Sequence, residues 1–340
     1  MLFTSGSEAH PKAVPLSHGN FLANIADFTS VLTLQEDDRL LGMLPPFHSL
    51  GLAGTLIMPL VMGLPTVYSA NPTEGTLLAN ITAAYEVSLL IGTPTFLNGI
   101  ANGTGGRNLD HVRIAFSGAE KCPPYVYEAL EKSFPNVTVC EGYGITECSP
   151  VVSINDPREP VRGTIGRILP SMEYVLVHPE TGNPVKNGET GRLLLRGPNI
   201  FEGYLNYNGK SPFVEHNEKQ WYDSGDLVQD NGGILTFSGR MKRFIKLGGE
   251  MISLPAIEEV LIDRYKKNDE PVLAVMATPG DDHPEIVLLA TEEIAREEIN
   301  AALREHGFSP LHNIRRIIKI AEIPVLGTGK TDYRALDQAL

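Results

Sequence analysis

The chain has 340 residues, 42% of them hydrophobic and 20% charged, a composition that excludes disorder and gives room for two cores. Its 28 Lys and Arg against 41 Asp and Glu leave a net charge of −13, which argues against a sequence-independent nucleic-acid surface. Cys122, Cys140 and Cys148 follow no metal-ligand spacing and point to a reducing compartment without a disulfide framework.

The first notable string is "TSGSEAHPKAVPLSH", Thr4 to His18. It crowds hydroxyls, a glycine and a lysine as phosphate-cradling loops do. It is not a Walker A loop, because Pro11 stands where a glycine should precede Lys12. Taken alone it reads as an ordinary polar turn. "FLANIADFTSVL" predicts a helix, "RLLGMLPPF" a strand running into a loop, and "GLAGTLIMPLVMGLP" a buried core helix interrupted by Pro59 and Pro65. "PTVYSA", "VSLLIG" and "HVRIAF" predict short strands, "PPYVYEALEKSF" a helix, and "VTVCEGYG" another strand. This rhythm is that of a parallel α/β sheet, whose ligands gather at loops leaving the carboxyl ends of strands. Here those loops carry "PPFHS", "SGAEK" and "GYGITE".

From about residue 162 to 240 the turns multiply and antiparallel β structure is expected. After 242 a small mobile α+β domain follows, with helices in "AIEEVLIDRYKK" and "EEIAREEINAALREHG". The expected division is therefore 1–241, a large α/β domain ending in a β-rich subdomain, and 242–340. "MLFTSGS" has neither a basic nor an apolar leader segment, so a cytoplasmic location is expected.

Four more strings carry candidate chemistry. "GYGITE" puts an aromatic, a flexible glycine, a hydroxyl and a carboxylate at a strand end, where Tyr143 can stack on a base, Thr146 meet a phosphate and Glu147 hold a hard cation; taken alone, a turn with a surface carboxylate is the better reading. "WYDSGDLV" sets Asp226 behind a tight turn, suited to two ribose hydroxyls; an Asx turn is the equally good plain reading. "SGRMKRFIKLGGEMIS" mixes cations and paired glycines, and could be a linker. "PVLGTGKTDYRAL" places Lys330 in a glycine-rich loop, or in a mobile tail.

Together these segments, in this order from Thr4 to about Leu336, resemble the adenylate-forming enzymes: acyl-CoA synthetases, luciferases and the adenylation domains of peptide synthetases. "PPFHSLGL", "FSGRMKRFIKLGGEMIS" and "EIPVLGTGKTDY" look most like the acyl–acyl-carrier-protein synthetase branch, often fused to a lysophospholipid acyltransferase. The resemblance implies roles. Thr4, Ser5, Gly6, Ser7 and Lys12 would cover the β- and γ-phosphates of ATP. Gly118, Ala119 and Glu120 would form the turn beside adenine, with Tyr143 stacked on the base. Thr146 would meet the α-phosphate, Glu147 the Mg²⁺, and Asp226 and Arg240 the ribose. His48 would stand by the acyl carboxylate and Lys330 would be the mobile lysine of adenylation. Lys242 would be the hinge, and Lys246, Gly248, Gly249 and Glu250 would line the thiol's path.

The implied reaction joins a fatty acid to ATP and passes the acyl group to acyl carrier protein, or to coenzyme A. Such chemistry rests on positioning and charge and needs no protein nucleophile. No nucleic-acid partner and no transmembrane segment is expected; peripheral contact with the inner membrane face would come through parts outside this chain. Two features depart from the pattern. Alanine stands at 9 and 13 where the family usually has glycine, a change that costs little only if the backbone there avoids positive φ. The phosphate loop also comes at once, so the chain reads as the C-terminal portion of a longer protein, expected to have little ligase activity alone. A non-catalytic nucleotide- or acyl-binding module is the competing reading, weakened by the presence of both Glu147 and Lys330.

Overall fold

The computed structural model describes residues 1–4, 11–247, 250–265, 272–278, 284–325 and 331–340. The chain divides into two compact units, 1–224 with 229–237, and 225–228 with 238–340.

The first unit begins with a short antiparallel pair, β1 (Leu2–Phe3) and β2 (Ala13–Val14). Helix α1 (His18–Leu32) follows, started by a reciprocal cap: Asn20 N donates to Ser17 Oγ at 3.1 Å and Ser17 N to Asn20 Oδ1 at 2.9 Å. Its buried stripe is Phe21, Asn24, Ile25, Phe28 and Leu32, at helical spacing. Asn24 is tolerated there because its amide exchanges hydrogen bonds with the backbone of Val151.

The chain then alternates between β3 (Leu40–Gly42), α2 (Met58–Met62), β4 (Thr66–Tyr68), α3 (Gly75–Ala84), β5 (Leu89–Gly92), α4 (Pro94–Gly103), β6 (Ile114–Ser117), α5 (Pro124–Ser133) and β7 (Thr138–Gly144). Strands β8 (Val151–Ile154) and β9 (Arg167–Ile168) complete a seven-stranded sheet in the order β4-β3-β5-β6-β7-β8-β9. The pairings from β4 through β7 are parallel, and β8 and β9 are antiparallel. Strands β5 and β6 are buried at every residue, which is why they read as unbroken apolar runs.

One expectation is corrected here. "GLAGTLIMPLVM" is not a wholly buried helix. Residues Gly51–Ile57 form π-helical turns, and only their inner side is buried. In α2, Leu60 is 75% exposed, and Val61 and Met62 are exposed beside it. An apolar run shows no polar face, so its sequence cannot say which side is covered. Among the described residues, no helix is long and apolar enough to cross a membrane.

The β-rich part holds β10 (Glu173–Val177), β11 (Thr190–Arg196), β12 (Phe213–His216), β13 (Lys219–Asn231) and β14 (Ile234–Arg240), in the order β10-β11-β13-β12 with β14 also on β13. The predicted tight turn at "DSGD" is instead the middle of the thirteen-residue strand β13, where Gly225 takes φ +69°. Pairing on both sides overrides a local turn preference, and the positive φ is absorbed by the one residue without a Cβ.

In the second unit, β15 (Phe244–Leu247) pairs antiparallel with β16 (Glu250–Ser253), so these residues of the cation- and glycine-bearing string are paired strands. Helix α6 (Leu254–Tyr265), β17 (Leu273–Ala277), β18 (Ile286–Ala290), α7 (Arg296–Glu305), β19 (Arg316–Lys319) and α8 (Tyr333–Asp337) follow. Strand β18 is the centre of this sheet, antiparallel to β17 and parallel to β19. Leu261, Leu288 and Ile299 lie in one of its cores.

Candidate active site

The carboxyl end of β7 organises the first unit's site. A Cβ on Gly142 would sit 2.3 Å from Phe116 Cζ, and one on Gly144 would sit 2.4 Å from the Pro150 carbonyl oxygen. Neither glycine takes a positive φ. The glycines of "GYGITE" are therefore required by space and not by flexibility. Between them, Tyr143 stacks on Phe237 with ring centroids 5.7 Å apart. Beyond β7 a 3₁₀ turn, Thr146–Cys148, brings Thr146 Oγ1 to 3.3 Å from Ser49 Oγ. The loop after β3 is thus seated beside the end of β7. In that loop the His48 ring lies 4.6 Å from the ring of exposed Phe47.

Glu147 is 8% exposed. Its Oε1 accepts a hydrogen bond from Tyr204 Oη at 2.6 Å, and its carbonyl accepts from Phe201 N at 2.9 Å. The same tyrosine meets Lys12. Lys12 Nζ lies 4.8 Å from the Tyr204 ring centroid and 4.7 Å from that of Tyr207. Lys12 is held by its backbone, which exchanges hydrogen bonds with Thr4: Thr4 N to Lys12 O at 3.0 Å and Lys12 N to Thr4 Oγ1 at 3.3 Å. Ala13 lies in β2 opposite Phe3 and takes no positive φ, so its extra methyl costs the backbone nothing. Ser5, Gly6 and Ser7 lie outside the described residues, as does Ala9.

The predicted adenine turn follows β6. Gly118 is buried, Glu120 is half-buried, and Ala119 takes φ +73°, an unfavourable backbone for a residue with a Cβ. Nearby, Glu141 in β7 ties this turn down. Its carboxylate is 3% exposed and accepts from Cys122 N at 2.9 Å, Gly163 N at 2.9 Å and Tyr127 Oη at 2.5 Å. Burial and the adjacent carboxylate push the Tyr127 hydroxyl far up, so it stays a neutral donor. Burial likewise pushes the Cys122 and Cys140 thiols up to about 12, which leaves neither as a thiolate nucleophile at neutral pH.

The second unit carries the other predicted residues. Asp226 is 1% exposed, and its Oδ1 lies 3.3 Å from Arg240 Nε, so the predicted pair does come together. Lys242, Lys246 and Glu250 are exposed. Gly248, Gly249 and Lys330 lie outside the described residues.

Four site residues escaped the sequence reading: Ser49, Glu141, Tyr204 and Phe237. The spacing of Phe201, Tyr204 and Tyr207 in "FEGYLNY" is the only signal that could have drawn attention to Tyr204.

Comparison with known proteins shows the family and the fold. The AMP-binding enzyme family matches residues 1–205. 4-Coumarate-CoA ligase 1 of Narcissus pseudonarcissus is 27% identical over 96% of the chain, and sulfoacetate–CoA ligase of Cupriavidus necator 30% identical over 97%. The chain spans 62% and 65% of these two relatives' lengths. O-succinylbenzoate coenzyme A synthetase of Bacillus subtilis, solved with AMP, shares the fold: TM-score 0.83 at 23% identity, over 97% of this chain and 67% of that one. With strings from the first, middle and last parts of the 1–205 match folded against one another around Tyr204, the chain belongs to the AMP-binding enzyme family.

Proposed function

We propose that the chain is the nucleotide-binding part of an ATP-dependent acid–thiol ligase. The observation that carries this reading is Tyr204, which joins Lys12 of the phosphate loop to Glu147 at the end of β7. A cation and a carboxylate held by one side chain suit the two needs of a nucleoside triphosphate, charge neutralisation and a metal-bound phosphate. Among the described residues no group of three His, Cys, Asp or Glu could hold a metal by itself. A Mg²⁺ that arrives on the phosphates of ATP needs only one protein carboxylate, and Glu147 fits that role. Bound there, Mg²⁺ would neutralise charge on the departing pyrophosphate.

The substrate carboxylate oxygen forms a bond to the α-phosphorus of ATP as the bond to pyrophosphate breaks. A thiol then attacks the acyl carbon of the resulting acyl adenylate and releases AMP. In the first step Thr146, fixed by Ser49, orients the α-phosphate, Lys12 faces the β- and γ-phosphates, and Tyr143 covers the base from its seat on Phe237. Asp226 and Arg240 take the ribose, and Lys330 serves adenylation.

For the acyl acid and the acceptor the proposal is a fatty acid and acyl carrier protein, supported by the residues of "FSGRMKRFIKLGGEMIS" and "EIPVLGTGKTDY". Coenzyme A is the second reading, favoured by the names of the relatives, which are CoA ligases. Of the basic side chains near β19 that could dock an acidic carrier, Lys319 is already paired with Glu293 at 3.0 Å and Arg316 bonds the Leu340 carbonyl at 3.3 Å. Arg315, exposed just before the strand, is the better candidate.

The test is acid-dependent ATP–pyrophosphate exchange in the full-length protein, followed by parallel transfer to carrier protein and to coenzyme A. Glu147→Ala should lower exchange about a hundredfold or more. Exchange that ignores both the acid and this substitution would refute the ligase reading. Arg315→Glu should weaken use of carrier protein and spare coenzyme A.

A further inference from the structure

The second unit contains a polar cluster to which none of the predicted site residues belongs. Arg243, in the turn after β14, Glu258 on α6 and Tyr333 on α8 meet in one place. Arg243 Nη2 donates to Glu258 Oε2 at 3.0 Å and to the Val275 carbonyl at 2.8 Å. Val275 N donates to the same carboxylate oxygen at 2.7 Å. Tyr333 Oη donates to the other oxygen, Oε1, and the Arg243 guanidinium lies 3.7 Å from the Tyr333 ring centroid. The side chains of Arg243 and Glu258 are 22% and 11% exposed. Burial works against the guanidinium's charge, but Glu258 and Tyr333 together outweigh it and hold Arg243 protonated. Burial and Glu258 push the Tyr333 hydroxyl well up, so it remains a donor.

A buried ion pair of this kind adds little stability over apolar residues of equal volume, so stability alone does not account for it. What it does supply is a fixed position. Tyr333 is the third residue after Lys330. On the near side of the intervening segment, Val325 bridges Thr331 and Asp332 N donates to the Pro324 carbonyl at 2.7 Å. Asp332 also caps α8, accepting from Arg334 N and Ala335 N. Ile323 and Leu336 are buried in a common core against Val287 and Leu289. The stem on either side of residues 326–330 is thus anchored, and Tyr333 joins that anchor to Arg243, the residue directly after Lys242.

We propose that Arg243, Glu258 and Tyr333 are positioning residues that fix the base from which Lys330 is presented for adenylation, and that tie this base to the predicted hinge. This inference rests on the ligase reading above. It assigns the cluster to the first half-reaction, the step in which the ligase reading places Lys330.

The experiment compares Tyr333→Phe and Glu258→Gln with Lys330→Ala in the full-length protein. Three readouts are taken: acid-dependent ATP–pyrophosphate exchange, thioester formation from supplied acyl adenylate, and amide hydrogen exchange at Thr331 and Asp332. Tyr333→Phe removes one hydrogen bond to a carboxylate and keeps the ring under Arg243. It should lower the kcat of pyrophosphate exchange about tenfold, with KM for ATP changed less than about twofold. Thioester formation should be unchanged, and amide exchange should quicken at the stem but not in β17 or β18. Glu258→Gln should act in the same direction and more strongly. Wild-type exchange kcat in Tyr333→Phe, alongside a dead Lys330→Ala, would overturn the inference and leave the ligase reading standing. Equal losses in both half-reactions would reduce the cluster to a structural role and also overturn it. A silent Lys330→Ala would overturn the reading and the inference together.

Discussion

Tyr204→Phe is the sharpest test of the site, because it deletes one hydroxyl and leaves the ring beneath Lys12. That hydroxyl donates to Glu147 Oε1 at 2.6 Å, and Glu147 is itself buried. A hydrogen bond to a charged group contributes about 1.5–3 kcal/mol. Tyr204 is only half-buried, so water can partly replace the lost donor and the low end, about 1.5 kcal/mol, applies. The released carboxylate must then be ordered at the moment it meets the metal. The Mg²⁺ concentration for half-maximal pyrophosphate exchange should rise about tenfold, since about 1.4 kcal/mol is one decade. KM for ATP at saturating Mg²⁺ should change little. Tyr204→Leu removes the ring as well. It should raise KM for ATP by a further two- to fivefold or so, because a surface cation–π contact is worth about 0.5–1 kcal/mol and Tyr207 remains. The assay varies Mg²⁺ and ATP independently, with thermal melts to verify folding. An unchanged Mg²⁺ dependence in Tyr204→Phe, beside a Glu147→Ala variant that has lost exchange, would show that the hydroxyl does not orient the carboxylate.

Two further substitutions test the scaffold. Asp38, 1% exposed, pairs with Arg113 and accepts from Ser88 Oγ and Gln35 N, so Asp38→Asn should cost about 3 kcal/mol in denaturant unfolding, the low end for a broken buried pair because Arg113 is 21% exposed. Burial alone would raise the Asp38 pKa, but Arg113, Gln35 and Ser88 together lower it; its contribution is therefore full above the unfolded carboxylate pKa, near 3.9, and is lost as pH falls through the folded value, so the gap between wild type and variant should close at acid pH. Gly144→Ala should lose pyrophosphate exchange and about 1–3 kcal/mol of stability, because its Cβ would stand 2.4 Å from the Pro150 carbonyl oxygen; a fully active variant of unchanged stability would mean that β7 can shift without harm.

Much of the fold was legible because its signals are local. Strands β5 and β6 are buried on both faces and therefore appear as unbroken apolar runs, and α1 shows its buried stripe at helical spacing. The failures occurred where tertiary pairing decides. "DSGD" has turn chemistry, yet strands on both sides of β13 draw it straight, with Gly225 taking the irregularity. The Gly51–Met62 run has no polar face to indicate its buried side, and its end is exposed.

The site divides along the same line. The strings proposed to bind phosphate are legible because small residues, hydroxyls and a lysine must lie close together in sequence to put several groups on one anion. The residues that join those strings are not, because nothing local marks them. Glu141 reads as an ordinary strand residue until Gly163, from a loop beyond β8, is seen donating to its carboxylate. Tyr204 reads as one aromatic among three until Lys12 and Glu147 are found on its two ends. In one case a string singled out in the sequence carried the wrong reason. The glycines of "GYGITE" suggested flexibility, and the structure uses them because Phe116 and Pro150 leave no room for a methyl. A strand end packed this tightly holds Tyr143 and Thr146 in fixed positions. On the ligase reading, that rigidity suits a reaction governed by positioning, and it would leave any rearrangement between half-reactions to residues outside β7.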